Sequence, residues 1–140
     1  MRDIHAQGIA HRDIKHLNVL IYLYEEMPVA KLTDFGMAAK LKAGDTITKV
    51  AGTIGFMAPE VVQDKPSDFK ADVWSLGVML FALICSGVPF PGRDRASTAA
   101  LIVNSELAFN NSIWETVSDD CKDLITQMLV KDPESRLTAV

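Results

Sequence analysis

The stretch that decides how this sequence is interpreted is His11-Arg12-Asp13-Ile14-Lys15-His16-Leu17-Asn18, called the 11–18 loop below. It places a carboxylate at Asp13, an amine two residues later at Lys15 and an amide three residues further on at Asn18. Two tripeptides follow in order, Asp34-Phe35-Gly36 and Ala58-Pro59-Glu60. Each tripeptide alone is a weak signal, but the ordered set at this spacing is not explained by chance.

Short β elements are predicted on both sides of the 11–18 loop. Residues 1–7 predict the end of a helix that Gly8 closes, and Ile9-Ala10 predicts a short strand leading into the loop. Residues 19–33 predict a β hairpin with its turn at 25–28, because two apolar stretches flank a polar turn that contains a proline. Residues 36–58, called the 36–58 segment below, show little periodicity, which indicates a functional or disordered connection.

The second half of the sequence is predicted to be helical from Pro59 onward. Residues 70–86 are apolar on nearly every side of a helix, which predicts a helix that is buried on all faces. Residues 96–107 predict a further helix, and Ser118 predicts the N-cap of the last one, which ends before Asp132-Pro133. The expected fold is therefore α+β, mainly helical with a small β hairpin, and residues 1–140 are expected to form one domain.

With its three ordered motifs, the sequence resembles the eukaryotic protein kinases, and the resemblance covers residues 1–140. It implies the C-terminal lobe of a kinase domain. The glycine-rich loop, the lysine-bearing strand and the helical glutamate of the N-terminal lobe do not occur in the sequence. We therefore expect that lobe in the full-length protein, and we expect the 140 residues alone to be inactive.

The resemblance also implies roles for five residues in phosphoryl transfer from ATP to a protein hydroxyl. Asp13 would orient the acceptor hydroxyl and take its proton, and Lys15 would place a positive charge near the γ-phosphate. Asn18 and Asp34 would bind Mg²⁺, which prefers hard oxygen ligands. Thr53 would hydrogen-bond Asp13 and Lys15. The combination of Lys15 and Thr53 is typical of the serine/threonine class.

Within the family, the C-terminal half is most similar to the calcium/calmodulin-dependent and calcium-dependent protein kinases. The similar stretches are residues 55–62, 86–92 and 123–138. One difference lies in the 11–18 loop, where the family usually has Pro-Glu and this sequence has His16-Leu17. Since that glutamate helps to bind an arginine of the substrate in some members, Leu17 gives no basis for expecting a preference for basic peptides.

Other matches to the family concern architecture rather than chemistry. Asp72 is expected to anchor the backbone of the 11–18 loop, and Arg136 is expected to pair with Glu60. His11 and Phe35 are expected to be buried packing residues. The two remaining histidines are expected to lie at the surface: His5 and His16.

The resemblance also implies a switch at Arg12. In the family, the arginine at this position binds a phosphate group that is attached to a residue of the loop between the second and third motifs. The position that most often carries the phosphate is Lys49 here, with Thr48 beside it. Thr48 is therefore the candidate phosphosite, and an unmodified polar residue is the alternative.

Composition excludes several other classes of protein. The net charge is -4 and no run of basic residues occurs, so we expect no nucleic-acid surface. The longest apolar stretch, residues 73–85, is too short to span a bilayer, and the N-terminus lacks a signal peptide. These features predict a cytoplasmic protein. Cys85 and Cys121 are expected to be buried thiols, and the histidines lack zinc-ligand spacing.

The sequence therefore favours an ATP- and Mg²⁺-dependent protein serine/threonine kinase that acts on a protein substrate, present here as part of its catalytic domain. The alternative is a kinase lobe or pseudokinase that binds partners without transferring phosphate. A metal-dependent hydrolase using Asp13 and Asp34 would account for two carboxylates but not for Asn18 or Lys15.

Overall fold

A computed structural model describes residues 1–42 and 44–139, so residue 43 of the 36–58 segment and residue 140 lie outside the description. The mainly helical α+β architecture expected from the sequence is confirmed. The helices are α1 Arg2–Ala6, α2 Pro59–Val62, α3 Lys70–Cys85, α4 Arg95–Asn104 and α5 Asp119–Met128. The strands are β1 Ile9–Ala10, β2 Val19–Tyr24, β3 Met27–Leu32 and β4 Ala39–Lys40.

The predicted hairpin is present as the antiparallel pair β2–β3. Its turn is tighter than expected, because Glu25 and Glu26 both have positive φ (48° and 65°), as in a two-residue hairpin turn. The prediction of a turn over 25–28 was wrong at Met27 and Pro28, which lie within β3 opposite Tyr24 and Leu23. A proline is tolerated there because a strand of a two-stranded sheet has an unpaired edge.

A second two-stranded sheet, β1–β4, was not predicted. Ile9 pairs with Lys40 and Ala10 pairs with Ala39, so the start of the 36–58 segment lies against the strand that leads into the 11–18 loop. Gly8 has φ 73°, and a Cβ at this position would lie 2.5 Å from the carbonyl oxygen of Leu41. Only glycine fits this approach, so a residue expected to close a helix also permits the pairing of β1 with β4.

The core forms around α3, as its apolar sequence predicted, but the prediction of burial on all faces was wrong, because Leu83 is 66% exposed. Trp74 and Val78 are fully buried in this helix, and the ring of Trp74 stacks on Phe90 with centroids 5.8 Å apart. Phe81 is a further buried residue of α3, and the other buried members of the core come from the segments packed around this helix: Phe56, Ala58, Ile102, Trp114, Ile125 and Leu129. Since burial of one large apolar side chain contributes about 1.5–3 kcal/mol, this cluster is the main source of stability.

Side-chain caps fix where the last two long helices begin. Ser118 accepts a hydrogen bond from the Cys121 N–H at the start of α5, as predicted, and Asp94 forms a capping box with Ser97 at the start of α4. Cys85 and Cys121 are free thiols, but they are only half-buried, so the expectation of full burial was wrong. In the part of the chain that is described, no helix has both the length and the apolarity to cross a membrane.

Candidate active site

The backbone of the 11–18 loop is held by Asp72, which lies in the first turn of α3. The Asp72 carboxylate accepts hydrogen bonds of 2.8 Å from the N–H of His11 and 2.8 Å from the N–H of Arg12. Arg12 has φ 71°, a left-handed conformation that is unfavourable for a residue with a side chain. The anchor expected at Asp72 is therefore confirmed, and it holds the loop at its strained residue.

His5 was expected at the surface, and this was wrong. Its side chain is buried, and its Nε2 lies 2.9 Å from Oδ2 of Asp72. Its ring also packs on Phe69, with centroids 5.1 Å apart. No local pattern predicts this burial, because the five residues of α1 are too few to show a periodic apolar face. His16 is exposed, as expected.

Three of the predicted site residues form a closed triangle of hydrogen bonds. The Lys15 ammonium donates to Oδ2 of Asp13 at 2.8 Å and to the hydroxyl of Thr53 at 2.8 Å. Thr53 in turn donates to Oδ1 of Asp13 at 2.8 Å. Asn18 joins them, since its Nδ2 donates to the Asp13 carbonyl at 2.8 Å and to Asp13 Oδ2 at 3.2 Å. These residues are called the Asp13 cluster below.

The Asp13 carboxylate is kept ionised by this cluster. Partial burial alone raises its pKa, but hydrogen bonds from Lys15 and Thr53, the charge of Lys15 and a hydrogen bond from Asn18 outweigh burial. The net result is a pKa below the ordinary value for aspartate. A carboxylate in this state is a weak proton acceptor, so its main contribution is orientation and negative charge.

A glycine allows the 36–58 segment to reach the 11–18 loop. Gly52 has φ 111°, and a Cβ at this position would lie 2.6 Å from the carbonyl oxygen of Arg12. Its neighbour Thr53 then reaches Asp13 across 40 positions of sequence. A larger residue at position 52 would separate the two segments that the Asp13 cluster joins.

The second motif is attached to the 11–18 loop through the residue that precedes it. The Thr33 N–H donates to the Asn18 carbonyl at 2.8 Å, and the His11 ring lies 2.9 Å from the Thr33 carbonyl oxygen through its Nε2. The buried His11 ring also contacts Phe35, with centroids 4.9 Å apart. The expected packing role of His11 is confirmed, whereas Phe35 is exposed and not buried as expected.

Asp34 is connected to the Asp13 cluster through its neighbour in sequence, Thr33. Among the described residues, no hydrogen bond joins the Asp34 side chain to the cluster. It has φ 61°, and its exposed carboxylate accepts the Gly36 N–H at 3.2 Å. Asp34 directly follows Thr33, which is bonded to Asn18. The structure therefore brings four predicted site residues into contact, whereas the fifth, Asp34, is linked to them through the backbone of Thr33.

The side-chain oxygen atoms of Asn18 and Asp34 are of the type that binds Mg²⁺. Asn18 uses its amide nitrogen toward Asp13, which leaves its amide oxygen as an acceptor, and Asp34 adds an exposed carboxylate. Among the described residues, no group of three or more His, Cys, Asp or Glu side chains could hold a metal by itself. One carboxylate and one amide fit an ion that completes its shell with phosphate oxygens and water.

The candidate phosphosite lies near Arg12. The Arg12 guanidinium donates to the carbonyl of Met37 at 3.3 Å and to the carbonyl of Lys49. Thr48 is exposed and precedes Lys49. The 36–58 segment is also held at Ile47, whose N–H and carbonyl pair with those of Ser67 at 2.8 and 2.9 Å. Arg12 therefore contacts the backbone at both ends of the region that contains Thr48.

Comparison with known proteins gives a consistent result. The family model described as "Protein kinase domain" matches residues 1–140. The chain is 38% identical over 135 residues to calcium/calmodulin-dependent protein kinase type 1 of Caenorhabditis elegans, covering 96% of this chain and 38% of that protein. It is 38% identical to the serine/threonine-protein kinase PEPKR2 of Arabidopsis thaliana, covering 96% of this chain and 28% of that one.

A third relative is calcium-dependent protein kinase 34 of Arabidopsis thaliana, which is 36% identical over 135 residues, 96% of this chain and 26% of that protein. The chain thus spans less than two fifths of the length of each of these relatives. With the Asp13 cluster in place and a family match over its whole length, the chain belongs to the protein kinase domain family, within the serine/threonine group of calcium/calmodulin-dependent and calcium-dependent protein kinases.

Proposed function

We propose that the protein transfers the γ-phosphoryl group of ATP to a serine or threonine hydroxyl of a protein substrate. The observation that carries this proposal is the hydrogen-bonded triangle of Asp13, Lys15 and Thr53. Phosphoryl transfer requires positioning and neutralisation of charge more than covalent help, and the triangle provides a fixed carboxylate beside a fixed cation.

Each member of the cluster has a defined part in this proposal. Asp13 binds the acceptor hydroxyl, orients its lone pair and takes the proton as the oxygen attacks. Lys15 holds its ammonium where negative charge develops, and Thr53 fixes both side chains. Because the pKa of Asp13 is lowered, the proton moves to Asp13 late in the phosphoryl-transfer step. Orientation of the acceptor hydroxyl is therefore the larger contribution of Asp13.

Asn18 and Asp34 are the residues that would hold Mg²⁺. When bound, the ion neutralises phosphate charge as ATP reacts. Asn18 also supports Asp13 through the two bonds of its amide nitrogen, so it links the proposed metal position to the proposed base. We place the activity in the cytoplasm because Cys85 and Cys121 are free thiols, as is usual for proteins of a reducing compartment.

The test is phosphoryl transfer by the full-length protein that carries residues 1–140. Asp13→Ala is expected to reduce kcat by about a thousandfold or more while ATP binding changes little, since Asp13 contacts the acceptor rather than the nucleotide. Gln7→Ala, at an exposed residue outside the cluster, is the control. Normal turnover of Asp13→Ala would exclude the proposed role.

We further propose that activity requires a longer protein than these 140 residues. The outer surface of the β2–β3 hairpin is apolar and exposed, which is unfavourable for a free protein. The exposed residues are Leu20, Ile21, Tyr22, Leu23, Tyr24 and Met27. A glycine-rich loop and a lysine-bearing strand in the full-length protein would cover this surface and complete the ATP site. The purified 140-residue chain is accordingly expected to transfer no measurable phosphate.

The same exposed surface favours a second candidate function, a module that binds a partner protein without phosphoryl transfer. The two functions differ in what the full-length protein does with ATP and Mg²⁺. A protein that binds a partner through the hairpin but shows no transfer, with or without Asp13, would support the binding module. Transfer that depends on Asp13 would exclude it.

Two finer features of the proposed kinase concern regulation and the substrate. Thr48 is proposed as a phosphosite because it is exposed beside the Lys49 carbonyl that Arg12 contacts. Phosphopeptide mapping of the active protein tests this, and an unmodified Thr48 in fully active protein would exclude it. Leu17 is 73% exposed in the 11–18 loop, so this position offers a substrate no negative charge to bind a basic residue.

A further inference from the structure

We propose that Leu17 is a specificity-determining residue, which contacts an apolar side chain of the protein substrate close to the acceptor hydroxyl. The inference rests on the proposed kinase function and names the class of substrate. That class is a serine or threonine with a large apolar residue nearby and without a required basic residue. Leu17 lies where this sequence differs from the family, because the 11–18 loop has His16-Leu17 in place of the usual Pro-Glu.

The first step of the argument is the contrast between Leu17 and the rest of its loop. Ile14 and Asn18 are 1% and 6% exposed, whereas Leu17 is 73% exposed. The Asn18 side-chain amide donates to the Asp13 carbonyl at 2.8 Å, and the Asn18 carbonyl accepts the Thr33 N–H at 2.8 Å. The backbone next to Leu17 is therefore held by hydrogen bonds, and the leucine is presented to solvent from a fixed position.

The second step is the closeness of Leu17 to the Asp13 cluster. Leu17 is the middle residue of a short 3₁₀ helix, His16–Asn18. The loop folds back at this helix, because Asn18 donates to both the carbonyl and the carboxylate of Asp13. Leu17 is thus one residue away from a side chain that is bonded to the proposed base. Residues of a substrate that flank a hydroxyl bound by Asp13 come within reach of Leu17.

The third step is the chemistry of the surface beside Leu17. A single exposed leucine needs no explanation, but the neighbouring His16 lines a cavity of about 370 Å³, within the range of about 300–1,000 Å³ for ligand pockets. Phe56, Ala82 and Val88 also line this cavity, and the rings of His16 and Phe56 have centroids 5.9 Å apart. None of the described residues that line the cavity is Asp, Glu, Lys or Arg.

Such a surface favours apolar side chains over charged ones. An arginine of the substrate would lose water there, and none of the described cavity residues could supply a counter-charge for its guanidinium. An apolar side chain instead gains free energy by leaving water against Leu17 and the cavity wall. The surface is continuous with the Asp13 cluster through His16 and Asn18, and for this reason we assign it to the substrate.

The experiment measures kcat/KM of the full-length protein on peptides that contain one serine in an alanine background. Leucine or arginine replaces one alanine at a time, over about five positions on each side of the serine, since each residue of an extended peptide spans about 3.3 Å. The peptide without either residue is the reference. At one or more positions, we expect leucine to raise kcat/KM by about ten- to a hundredfold and arginine to give no increase.

Substitutions in the protein then assign this preference to the proposed surface. Leu17→Glu and Ala82→Glu each add a carboxylate to it. Either is expected to lower the leucine preference by about tenfold and to raise kcat/KM for arginine at the same peptide position by about tenfold. Leu17→Met should retain the leucine preference. Leu124→Glu, at another exposed leucine, is the matched control, and kcat/KM for the reference peptide should stay within about threefold in every variant.

Three results would overturn the inference. The first is a wild-type protein that prefers arginine to leucine, or that favours leucine at no position. The second is a leucine preference that persists in both Leu17→Glu and Ala82→Glu, because specificity would then lie elsewhere. The third is an equal loss of kcat/KM on the leucine and reference peptides in these variants, which would show damage to the 11–18 loop instead of lost recognition.

The outcomes also separate this inference from the proposed function. If transfer depends on Asp13 but shows no leucine preference, only the specificity inference fails. If the wild-type protein transfers no phosphate to any peptide, the proposed function fails, and fluorescence anisotropy then measures binding of the same peptides with serine replaced by alanine. Tighter binding of a leucine peptide that Leu17→Glu abolishes would support the surface, whereas equal binding of leucine and arginine peptides would overturn it.

Discussion

Arg136 and Glu60 form a buried, two-pronged ion pair between residues 76 positions apart. Arg136 Nη1 lies 2.8 Å from Glu60 Oε1, and Nη2 lies 2.9 Å from Oε2, with side-chain exposures of 0% and 5%. Arg136 also donates to the carbonyls of Val130, Lys70 and Lys131 at 2.9, 3.0 and 3.2 Å. The pair expected from the family resemblance is therefore confirmed, and it ties the third motif to the C-terminal end of the chain.

Removing one member of this pair is expected to destabilise the fold severely. Glu60→Ala leaves the Arg136 guanidinium buried without its counter-charge, and a broken buried pair costs about 3–5 kcal/mol. Denaturant unfolding of the purified chain measures the loss. The control is Glu134→Ala, which removes a 3.5 Å contact to Lys70 at a residue that is 84% exposed and is expected to cost under about 0.5 kcal/mol. Similar losses for the two variants would contradict the importance of burial.

Gly52→Ala is expected to damage both stability and activity. The residue has φ 111°, and the new Cβ would lie 2.6 Å from the Arg12 carbonyl oxygen, so the 36–58 segment must move away from the 11–18 loop. We expect a loss of about 2 kcal/mol and a clear fall in kcat. Gly55→Ala is the matched control, since a Cβ at Gly55 meets nothing within 4 Å. Thermal unfolding and a kinase assay compare the two variants. A Gly52→Ala protein that matches Gly55→Ala in both stability and kcat would contradict this prediction.

The lowered pKa of Asp13 predicts how stability depends on pH. Because the folded pKa lies below the unfolded value of about 3.9, the ionised carboxylate stabilises the fold above that pH, and this contribution is lost as pH falls through the folded pKa. The stability advantage of wild type over Asp13→Asn should therefore be constant from pH 7 to pH 5 and shrink below about pH 4.

The measurement is the free energy of unfolding of both proteins across this range. Asp94 and Asp132 also have lowered pKa values, through hydrogen bonds from Ser97 and Ser135, but they titrate in both proteins and cancel in the difference. In the full-length protein, the same shift predicts that kcat shows no loss attributable to Asp13 between pH 7 and about pH 5. An advantage that is independent of pH down to pH 2 would contradict the stabilising role of the ionised carboxylate.

Asp34→Asn is expected to change the dependence of the full-length protein on Mg²⁺. The substitution removes the exposed carboxylate of the residue that follows Thr33, which is bonded to Asn18, but keeps a side-chain oxygen in a side chain of similar size, so folding should be unaffected. We expect the Mg²⁺ concentration for half-maximal activity to rise by about tenfold or more. Asp45→Asn, another exposed aspartate in the described chain, serves as the control. An unchanged Mg²⁺ requirement in Asp34→Asn would rule out its proposed role.

Local pattern was sufficient for much of the fold. The buried helix α3 was predicted because residues 70–86 are apolar on nearly every side, and the cap at Ser118 was predicted from its side chain. The β2–β3 hairpin was predicted from two apolar stretches, although its turn was misplaced because Pro28 was taken as a turn residue. These elements depend on residues close together in sequence, so the sequence alone contains the information.

The site was predicted in composition but not in geometry. Residue types and order within the 11–18 loop, together with the family resemblance, pointed to Asp13, Lys15, Asn18 and Thr53. The bonds of Asp13 with Lys15 and Asn18 are local, but the two bonds of Thr53 that close the triangle join residues 38 and 40 positions apart, an approach that Gly52 permits by its positive φ. No local pattern specifies such a contact.

Sequence by itself determined the family, the helical core and the set of polar residues in the site, because each rests on residue types at short spacing. Tertiary structure alone decided that His5 is buried against Asp72 and that β1 pairs with β4. Each contact involves a segment of at most five residues, α1 in the first and β1 and β4 in the second, which is too short to show a periodic face. Both contacts also depend on how distant parts of the chain pack. The contact of His5 with Asp72 was therefore visible only once the chain was folded.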